Sequence, residues 1–325
     1  LKPINSQELS ECLKRLKKTL DNEREEKLNV KKLEHYFNES LPMFQTNLFI
    51  SLIEGRITEA DCEKFLAAYQ IRMDGPLFGC AVFHTSEHHV PEGMNVLLLS
   101  MSVEQEIRER IAEKWKSQMF TYLGNTVLVM ELNSEEDVVA FTDDCDRFCR
   151  WAYRVMGAVV TAGIGRACDS LFTINQSYAG AREAVSYRVL YGTQRAINIG
   201  EIAPTEQEIS VQSEDTKMHA LFKTINRGSR EEIEKAAQSE IEKLHRNAKT
   251  VSQYKLATME MVGAFYRFCA NNFIDFKDYC AEVENPYEKV PEMDESTLKG
   301  WLVNSAVAIS EELKNARNTT SRRIV

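Results

Sequence analysis

One stretch, residues 159–199, limits the possible fold more than any other part of the sequence. It opens with a β-branched run at 159–161 and continues through Gly163 and Gly165, where the backbone can take a positive φ. Apolar residues at helical spacing then predict a helix over 174–191. A strand, a glycine turn and a helix in this order predict a unit that covers one face of a sheet.

The second half of this stretch predicts a helix face and a closing strand. Gly192 is expected to end the helix, and residues 195–199 are predicted to form a short strand. The residues that share the apolar face of the helix are Tyr178, Ala181, Ala184, Val185 and Val189. The pattern therefore belongs to an α/β domain, which we place at residues 76–202.

The residues before this stretch supply the other elements of the predicted domain. A hairpin is expected within 119–132, because Gly124 and Asn125 separate two β-rich arms. The continuous apolar run at 96–101 predicts a buried strand. The remaining predicted elements are a strand at 78–83 and helices at 103–116 and 135–153.

The motifs of this domain resemble a known family. The strand VTAGIG and the following SYAGAREAVSYRVLYGTQRAINI are similar to the last third of a GGDEF-type domain, the fold of diguanylate cyclases. The form with SY and AREA is most similar to degenerate GGDEF-like domains of bacterial transcription regulators. The expected fold class is α+β or α/β, with a nucleotide-cyclase-type sheet and helices between a coiled-coil-like N-terminal helix and an all-helical C-terminal segment.

The N-terminal residues 1–34 are charged and predicted to be helical. Four leucines repeat at the 4-3-4 spacing of a coiled coil, after which the apolar pattern weakens: Leu9, Leu13, Leu16 and Leu20. They predict either dimerisation through this helix or one amphipathic helix packed on its own domain. Residues 35–75 are predicted to be a lead-in of short helices, in which Pro42 suits a first helical turn.

Both ends of the chain resemble parts of AraC-type two-component response regulators. The opening Lys-Pro is similar to the end of a receiver domain, so Lys2 would correspond to the lysine that contacts a phosphorylated aspartate upstream of this chain. Residues 203–318 are predicted to be helical and to end at 318–321. The resemblance implies that 319–325 begin a DNA-binding domain with two helix-turn-helix units.

The hairpin lacks the groups that cyclase chemistry needs. In diguanylate cyclases this turn carries two glycines, which lie against the nucleotide, and two acids. A carboxylate of the turn binds Mg²⁺, because this ion prefers carboxylate oxygens. The corresponding residues here are Leu123, Gly124, Asn125 and Thr126, and no acid follows the first strand until Glu87. We therefore expect no enzyme activity, and an active diguanylate cyclase stays only a remote alternative.

Composition and side-chain spacing favour a protein without cofactor or metal. The eight cysteines form no CxxC pair and fit free thiols in a reducing cytoplasm. His84, His88 and His89 lie in a segment expected to be a solvated loop. A net charge of −9 argues against nucleic-acid binding by this region, and the sequence has no membrane-spanning run.

The order of these segments predicts the middle region of a cytoplasmic response regulator. Its expected role is non-catalytic signal coupling and dimerisation, in control of transcription through a DNA-binding domain outside this chain. The implied partners are a second copy, the upstream receiver, the downstream DNA-binding domain and a sensor histidine kinase acting through the receiver. The alternative is a module that senses a nucleotide or another small molecule at the degenerate GGDEF-like site.

Overall fold

The computed structural model describes residues 6–202, 218–280 and 283–322. The chain divides into two compact units, Leu1–Met73 and Asp74–Val325. Lys2, the predicted receiver-type lysine, lies outside the described residues, as do residues 323–325 of the predicted C-terminal domain entry. Each unit is described by itself.

The first unit consists of a long helix and a short one, α1 (Ser6–Ile53) and α2 (Glu59–Ala68). The predicted short helices over residues 35–53 are therefore wrong, because one helix runs through this region with Pro42 inside it. Pro42 is exposed, and its ring removes only one backbone hydrogen bond from a long ladder. The residues around a proline can look the same in a first helical turn as within a continuing helix, so the sequence did not show which of the two applies to Pro42.

Among the side chains of α1 that the structure describes, the buried ones lie near its C-terminal end. Gly55 takes a positive φ of 65°, which reverses the chain. The Thr58 hydroxyl then accepts a hydrogen bond from Asp61 N and caps the first turn of α2. The ring of Tyr69 then stacks on Phe44 at 5.5 Å. The buried residues at the end of α1 are Leu48, Phe49, Leu52 and Ile53.

The second unit is built on a mixed sheet of five strands among the described residues, in the order β2-β3-β1-β4-β5. All neighbouring pairs are antiparallel except β4 and β5, which are parallel. The strands are β1 (Leu77–Thr85), β2 (Ser117–Tyr122), β3 (Asn125–Leu132), β4 (Val160–Ile164) and β5 (Ala196–Asn198). The sheet and its helices confirm the predicted fold class, and the hairpin and the closing strand also form as predicted.

The predicted strand at 96–101 is wrong, because this run begins the helix α3 (Val96–Ile107). The Asn95 side chain accepts a hydrogen bond from Leu98 N and so caps the first turn. The residues that α3 buries are spaced by four, Leu99, Val103 and Ile107, whereas Leu97, Leu98 and Met101 are exposed. A continuous apolar run fits a buried strand or a helix, and here the cap and the spacing by four decide for the helix.

Helices cover both faces of the sheet. On one face α3 packs beside α4 (Glu135–Met156), and a π-helical turn at Arg108–Ala112 extends α3. On the other face lies α5 (Ile174–Ser186), which contacts β1 and β4. The helix predicted over 174–191 is interrupted at Tyr187 and continues as α6 (Arg188–Tyr191).

Gly163 of β4 and Gly165, which directly follows the strand, serve close packing and do not form a turn. Neither has a positive φ, so the expected conformational role of Gly163 and Gly165 is wrong. A Cβ on Gly163 would lie 2.1 Å from the carbonyl oxygen of Ala181, and a Cβ on Gly165 would lie 1.9 Å from that of Ser177. The backbone of α5 therefore approaches β4 so closely that only glycine fits.

The C-terminal part of the second unit is helical in its described residues, as predicted. Its α-helices are α7 (His219–Arg227), α8 (Arg230–Asn247), α9 (Val251–Asn271), α10 (Pro286–Lys289) and α11 (Glu295–Arg322). Ser229 and Glu232 form a capping box at the start of α8. The expected break at 318–321 is wrong, because α11 continues to Arg322.

The second unit contains two hydrophobic cores. One lies between the sheet and α3 and α4, and the other joins the C-terminal helices around Phe265 and Trp301. Val189 of α6 is buried in the helical core, and Leu190 packs against it. A segment that directly follows α5 therefore anchors the sheet-containing part to the helical part. No helix in the described part of the chain is long and apolar enough to cross a membrane.

Candidate functional site

The hairpin between β2 and β3 is closed by a two-residue turn, Leu123–Gly124. Their φ angles are 49° and 74°, and two positive φ values are what the tightest hairpin turns require. Gly124 adopts this conformation readily, but a leucine does so rarely, and the Leu123 side chain is 70% exposed. The hairpin thus has the backbone of a tight two-residue turn, and the side chain exposed at its tip, that of Leu123, is apolar.

The two residues after the turn carry no acid. Asn125 donates a hydrogen bond to Leu123 O over 3.1 Å, and its side-chain oxygen lies 3.0 Å from Nδ1 of His84 at the end of β1. Thr126 is buried and pairs with Phe83 of β1. Neutral hydrogen bonds therefore stand where the resemblance to cyclases places metal-binding carboxylates.

His84 is held neutral by its surroundings. Burial and the charge of Arg188 lower the pKa of its imidazole, and they outweigh the opposing hydrogen bond with Asn125. Because the amide oxygen accepts, the proton of the neutral ring lies on Nδ1. A neutral, anchored imidazole can accept a hydrogen bond at its other nitrogen.

Beside His84 lies a cleft of about 280 Å³, which we call the junction cleft because both parts of the second unit line it. The sheet-containing part contributes His84, Ser86, Glu87, His88, Val159, Thr161, Arg188 and Thr193, and the helical part contributes Glu292, Asp294 and Thr297. Sequence reasoning missed this cleft, because its two walls come from segments about a hundred residues apart.

One cation links the walls of the junction cleft. Arg188 donates through Nη2 to the carboxylate and the carbonyl oxygen of Glu292, both at 3.3 Å, and through Nη1 to Val185 O at 3.2 Å. Lys255 of α9 also binds the Glu292 carboxylate. Glu292 therefore bridges two cations at the boundary between the two parts of the unit.

Asp294 gives the cleft a second carboxylate with a fixed position. Its Oδ1 accepts hydrogen bonds from Thr297 N at 2.8 Å and from the Ser296 hydroxyl at 3.1 Å, at the start of α11. Burial alone would raise the pKa of Asp294, but these hydrogen bonds outweigh burial and lower it. The carboxyl is therefore ionised at neutral pH.

The predicted dimerisation leucines lie on α1, in the first unit. Leu13 and Leu16 are 58% and 53% exposed, and the structure does not describe the side chains of Leu9 and Leu20. Every side chain that the structure describes between residues 10 and 39 is exposed. The two leucines of the predicted seam whose side chains the structure describes are therefore accessible to a partner helix.

A basic surface lies on the opposite face of the sheet, between the π-helical turn and α4. Asp144 is buried there and accepts hydrogen bonds from Lys114 at 2.5 Å, from Trp115 Nε1 at 3.0 Å and from Arg147. These bonds outweigh the effect of burial and lower the pKa of Asp144. Its contacts make Asp144 a structural anchor for the two cations.

Comparison with known proteins agrees with this architecture. Residues 54–187 match the family model described as a GGDEF-like domain, which is about two-fifths of the chain. The match ends at Tyr187, immediately before α6, and so leaves out the helical part and its wall of the junction cleft. No curated protein matches the chain.

Proposed function

We propose that this region is a non-catalytic coupling and dimerisation region of a cytoplasmic AraC-type response regulator. In this proposal a receiver upstream, phosphorylated by a sensor histidine kinase, changes the pairing of α1 in a homodimer. The GGDEF-like and helical parts pass that change to two DNA-binding domains downstream. The observation that carries the proposal is the exposure of Leu13 and Leu16 on α1, in a segment whose described side chains are all exposed.

An isolated helix of this length needs a partner to be stable in water. Helices gain most of their stability from packing an apolar face, and the described part of residues 10–39 buries none. The 4-3 spacing that starts at Leu9 continues in frame to Leu48. In that frame the apolar positions are Leu9, Leu13, Leu16, Leu20, Val30, Phe37, Leu41, Phe44 and Leu48, and the polar ones are Glu23, Lys27 and Glu34.

A second copy fits this seam best, because heptad frames pair most simply with an identical helix in parallel register. A parallel pair also points both C-terminal ends the same way. Two DNA-binding domains need a defined separation to reach paired half-sites. The anchoring of α6 in the helical core supports the second step, because it links the GGDEF-like part to the helical part.

The hairpin supports a non-catalytic role. Phosphoryl transfer from a nucleotide depends on carboxylate-bound Mg²⁺ to neutralise the developing charge. Asn125 and Thr126 cannot replace two carboxylates, and the His84 imidazole is a neutral ligand already bonded to Asn125. We expect no cyclic dinucleotide when the protein is incubated with GTP and Mg²⁺, and a steady turnover of GTP would refute this part.

Sedimentation velocity tests the dimer. The protein is expected to sediment as a dimer and the variant Leu13→Glu/Leu16→Glu as a monomer, because two buried charges per helix cost several kcal/mol. The matched control is Lys14→Glu/Lys18→Glu, which places the same acids on the outward side of the same turns. A seam variant that dimerises like the parent would disprove pairing through α1.

A further inference from the structure

We propose that the junction cleft binds a small zwitterion, a free amino acid or a molecule with the same pair of charged groups. Arg188 is assigned to its carboxylate, and Asp294 together with Glu292 to its ammonium group. This inference goes beyond the coupling role and does not depend on pairing through α1. It concerns only the second unit and rests on the charges, sizes and hydrogen bonds of the cleft walls.

The two walls carry opposite charges at fixed positions. Arg188 supplies the guanidinium, and its side chain is only 13% exposed. Among the residues that line the cleft, the carboxylates are Glu87, Glu292 and Asp294. Arg188 and Lys255 offset only two of these three acids, and the remaining negative charge disfavours a simple anion such as a nucleotide phosphate. A ligand with both a carboxylate and an ammonium group satisfies both walls at once.

The existing hydrogen bonds allow a ligand carboxylate to replace Glu292 as the partner of Arg188. Glu292 is held by both Arg188 and Lys255, and its side chain is 47% exposed. When a ligand carboxylate takes the place of Glu292 on Arg188, Glu292 keeps its bond to Lys255. It also gains the ammonium group of the ligand as a second positively charged neighbour. No buried charge is left uncompensated in the exchange, which removes the usual penalty of breaking a buried pair.

The acidic side of the cleft is prepared for an ammonium group. Both hydrogen bonds to Asp294 described above go to Oδ1, so that Oδ2 remains an acceptor. The neutral His84 adds an acceptor nitrogen without adding charge. Several strong acceptors around one position are what an ammonium group, with its three N–H donors, requires.

The size and the neutral lining set an upper limit on the ligand. A volume of about 280 Å³ is below the range of about 300–1,000 Å³ that drug-sized ligands occupy. Ser86, Thr161, Thr193 and Thr297 contribute neutral, hydroxyl-bearing residues to a lining that also contains apolar surface. The cleft thus favours a small amino acid over a large one.

The position of the cleft gives such a ligand a mechanical consequence. One wall belongs to the sheet-containing part and the other to the segment that leads into α11. The ligand would therefore replace the direct Arg188–Glu292 bond by a bridge between the two walls. Because α11 leads to the C-terminal end of the described chain, its orientation is the quantity that the ligand would change. Binding at this junction is therefore a means of control separate from α1.

Thermal shift and calorimetry with the whole chain test the proposal. The probes are the standard L-amino acids and, for the best one, the amine that lacks its carboxylate and the acid that lacks its ammonium group. We expect at least one small polar amino acid to raise Tm by several degrees and both comparison compounds to fail. Equal binding of either comparison compound, or stabilisation by GTP and by no amino acid, would overturn the zwitterion assignment.

Two variants test the two ends separately. Arg188→Gln removes the carboxylate partner, and Asp294→Asn removes the ammonium partner while asparagine keeps the helix cap. Each is expected to weaken binding about tenfold or more. The matched controls, Arg195→Gln and Asp278→Asn, carry the same changes outside the cleft and should bind like the parent. Unchanged affinity in Asp294→Asn would overturn the assignment even if Arg188→Gln failed to fold.

The seam variant separates this inference from the proposed function. Leu13→Glu/Leu16→Glu changes only the first unit, so we expect it to bind the amino acid with the affinity of the parent. Binding retained in a monomeric variant supports a site within one chain, whereas binding lost on conversion to monomer would contradict it.

Discussion

The close approach of α5 to β4 and to Gly165, the residue that follows it, gives the sharpest prediction about stability. Gly165→Ala would place a Cβ 1.9 Å from the carbonyl oxygen and 2.6 Å from the hydroxyl of Ser177. Real Cβ atoms do not approach other atoms within 3.0 Å, so α5 must move by about 1.1 Å, the difference between these distances. The atom in the way is backbone and cannot rotate aside.

The cost has two parts. Overpacking of a well-filled core costs about 1–3 kcal/mol. The Ser177 hydroxyl also accepts the hydrogen bond of Cys80 N at 2.9 Å, and a shift of α5 weakens that buried bond by about 1 kcal/mol more. The sum is about 2–4 kcal/mol. For a domain of about 150–250 residues each kcal/mol lowers Tm by about 2–4 °C, so we expect a fall of about 4–16 °C.

Calorimetry of Gly165→Ala against the parent measures this effect. Gly163→Ala, with a Cβ 2.1 Å from Ala181 O, is expected to behave in the same way. The control is Gly300→Ala in α11, where a Cβ meets nothing within 4 Å and a gain of up to about 1 kcal/mol is expected from helix propensity. A Gly165→Ala protein that melts with the parent would refute the close seating of α5 on β4.

Two further predictions concern single side chains. Because the pKa of Asp144 is lowered in the folded protein, its contribution to stability is present above the unfolded-state pKa of about 3.9 and is lost as pH falls through the folded-state pKa. In urea denaturation, Asp144→Asn should therefore make stability depend less steeply on pH below about pH 4. An unchanged pH dependence in that range would contradict the role of Lys114 and Arg147 as its partners. Ser229→Ala removes the hydroxyl of the α8 capping box and should cost about 0.5–2 kcal/mol in urea denaturation, whereas Ser229→Asp should retain most of the stability.

Patterns that depend on neighbouring residues were predictable from the sequence. The hairpin, the helix after β4 and the capping box at Ser229 each follow from a turn, a period or a cap within a few residues. The run at 96–101 was assigned to the wrong element, because an unbroken apolar segment carries no period that separates a strand from a helix. Leu97, Leu98 and Met101 are apolar yet exposed, which composition does not indicate.

Features that depend on distant residues were not predictable. The steric role of Gly163 and Gly165 depends on how closely α5 approaches, and that distance is set by tertiary packing. The Arg188–Glu292 pair joins residues 104 positions apart, and neither residue lies in a recognisable motif. The candidate site could therefore be predicted only in its hairpin half, and the helical wall of the junction cleft required the structure.

Cysteine cross-linking at Leu16 tests directly whether α1 pairs in parallel with a second copy. In a parallel dimer the two copies of a core residue face each other, within the Cα separation of about 4.4–6.8 Å that a disulfide needs. The substitution Leu16→Cys is made in a Cys12→Ser background, so that the neighbouring thiol cannot react, and Lys14→Cys in the same background is the outward-facing control.

If α1 pairs in parallel, mild oxidation converts Leu16→Cys to a covalent dimer on a non-reducing gel, while Lys14→Cys stays largely monomeric. A Leu16→Cys protein that sediments as a dimer but does not cross-link, or that cross-links no faster than Lys14→Cys, would contradict parallel pairing through this seam.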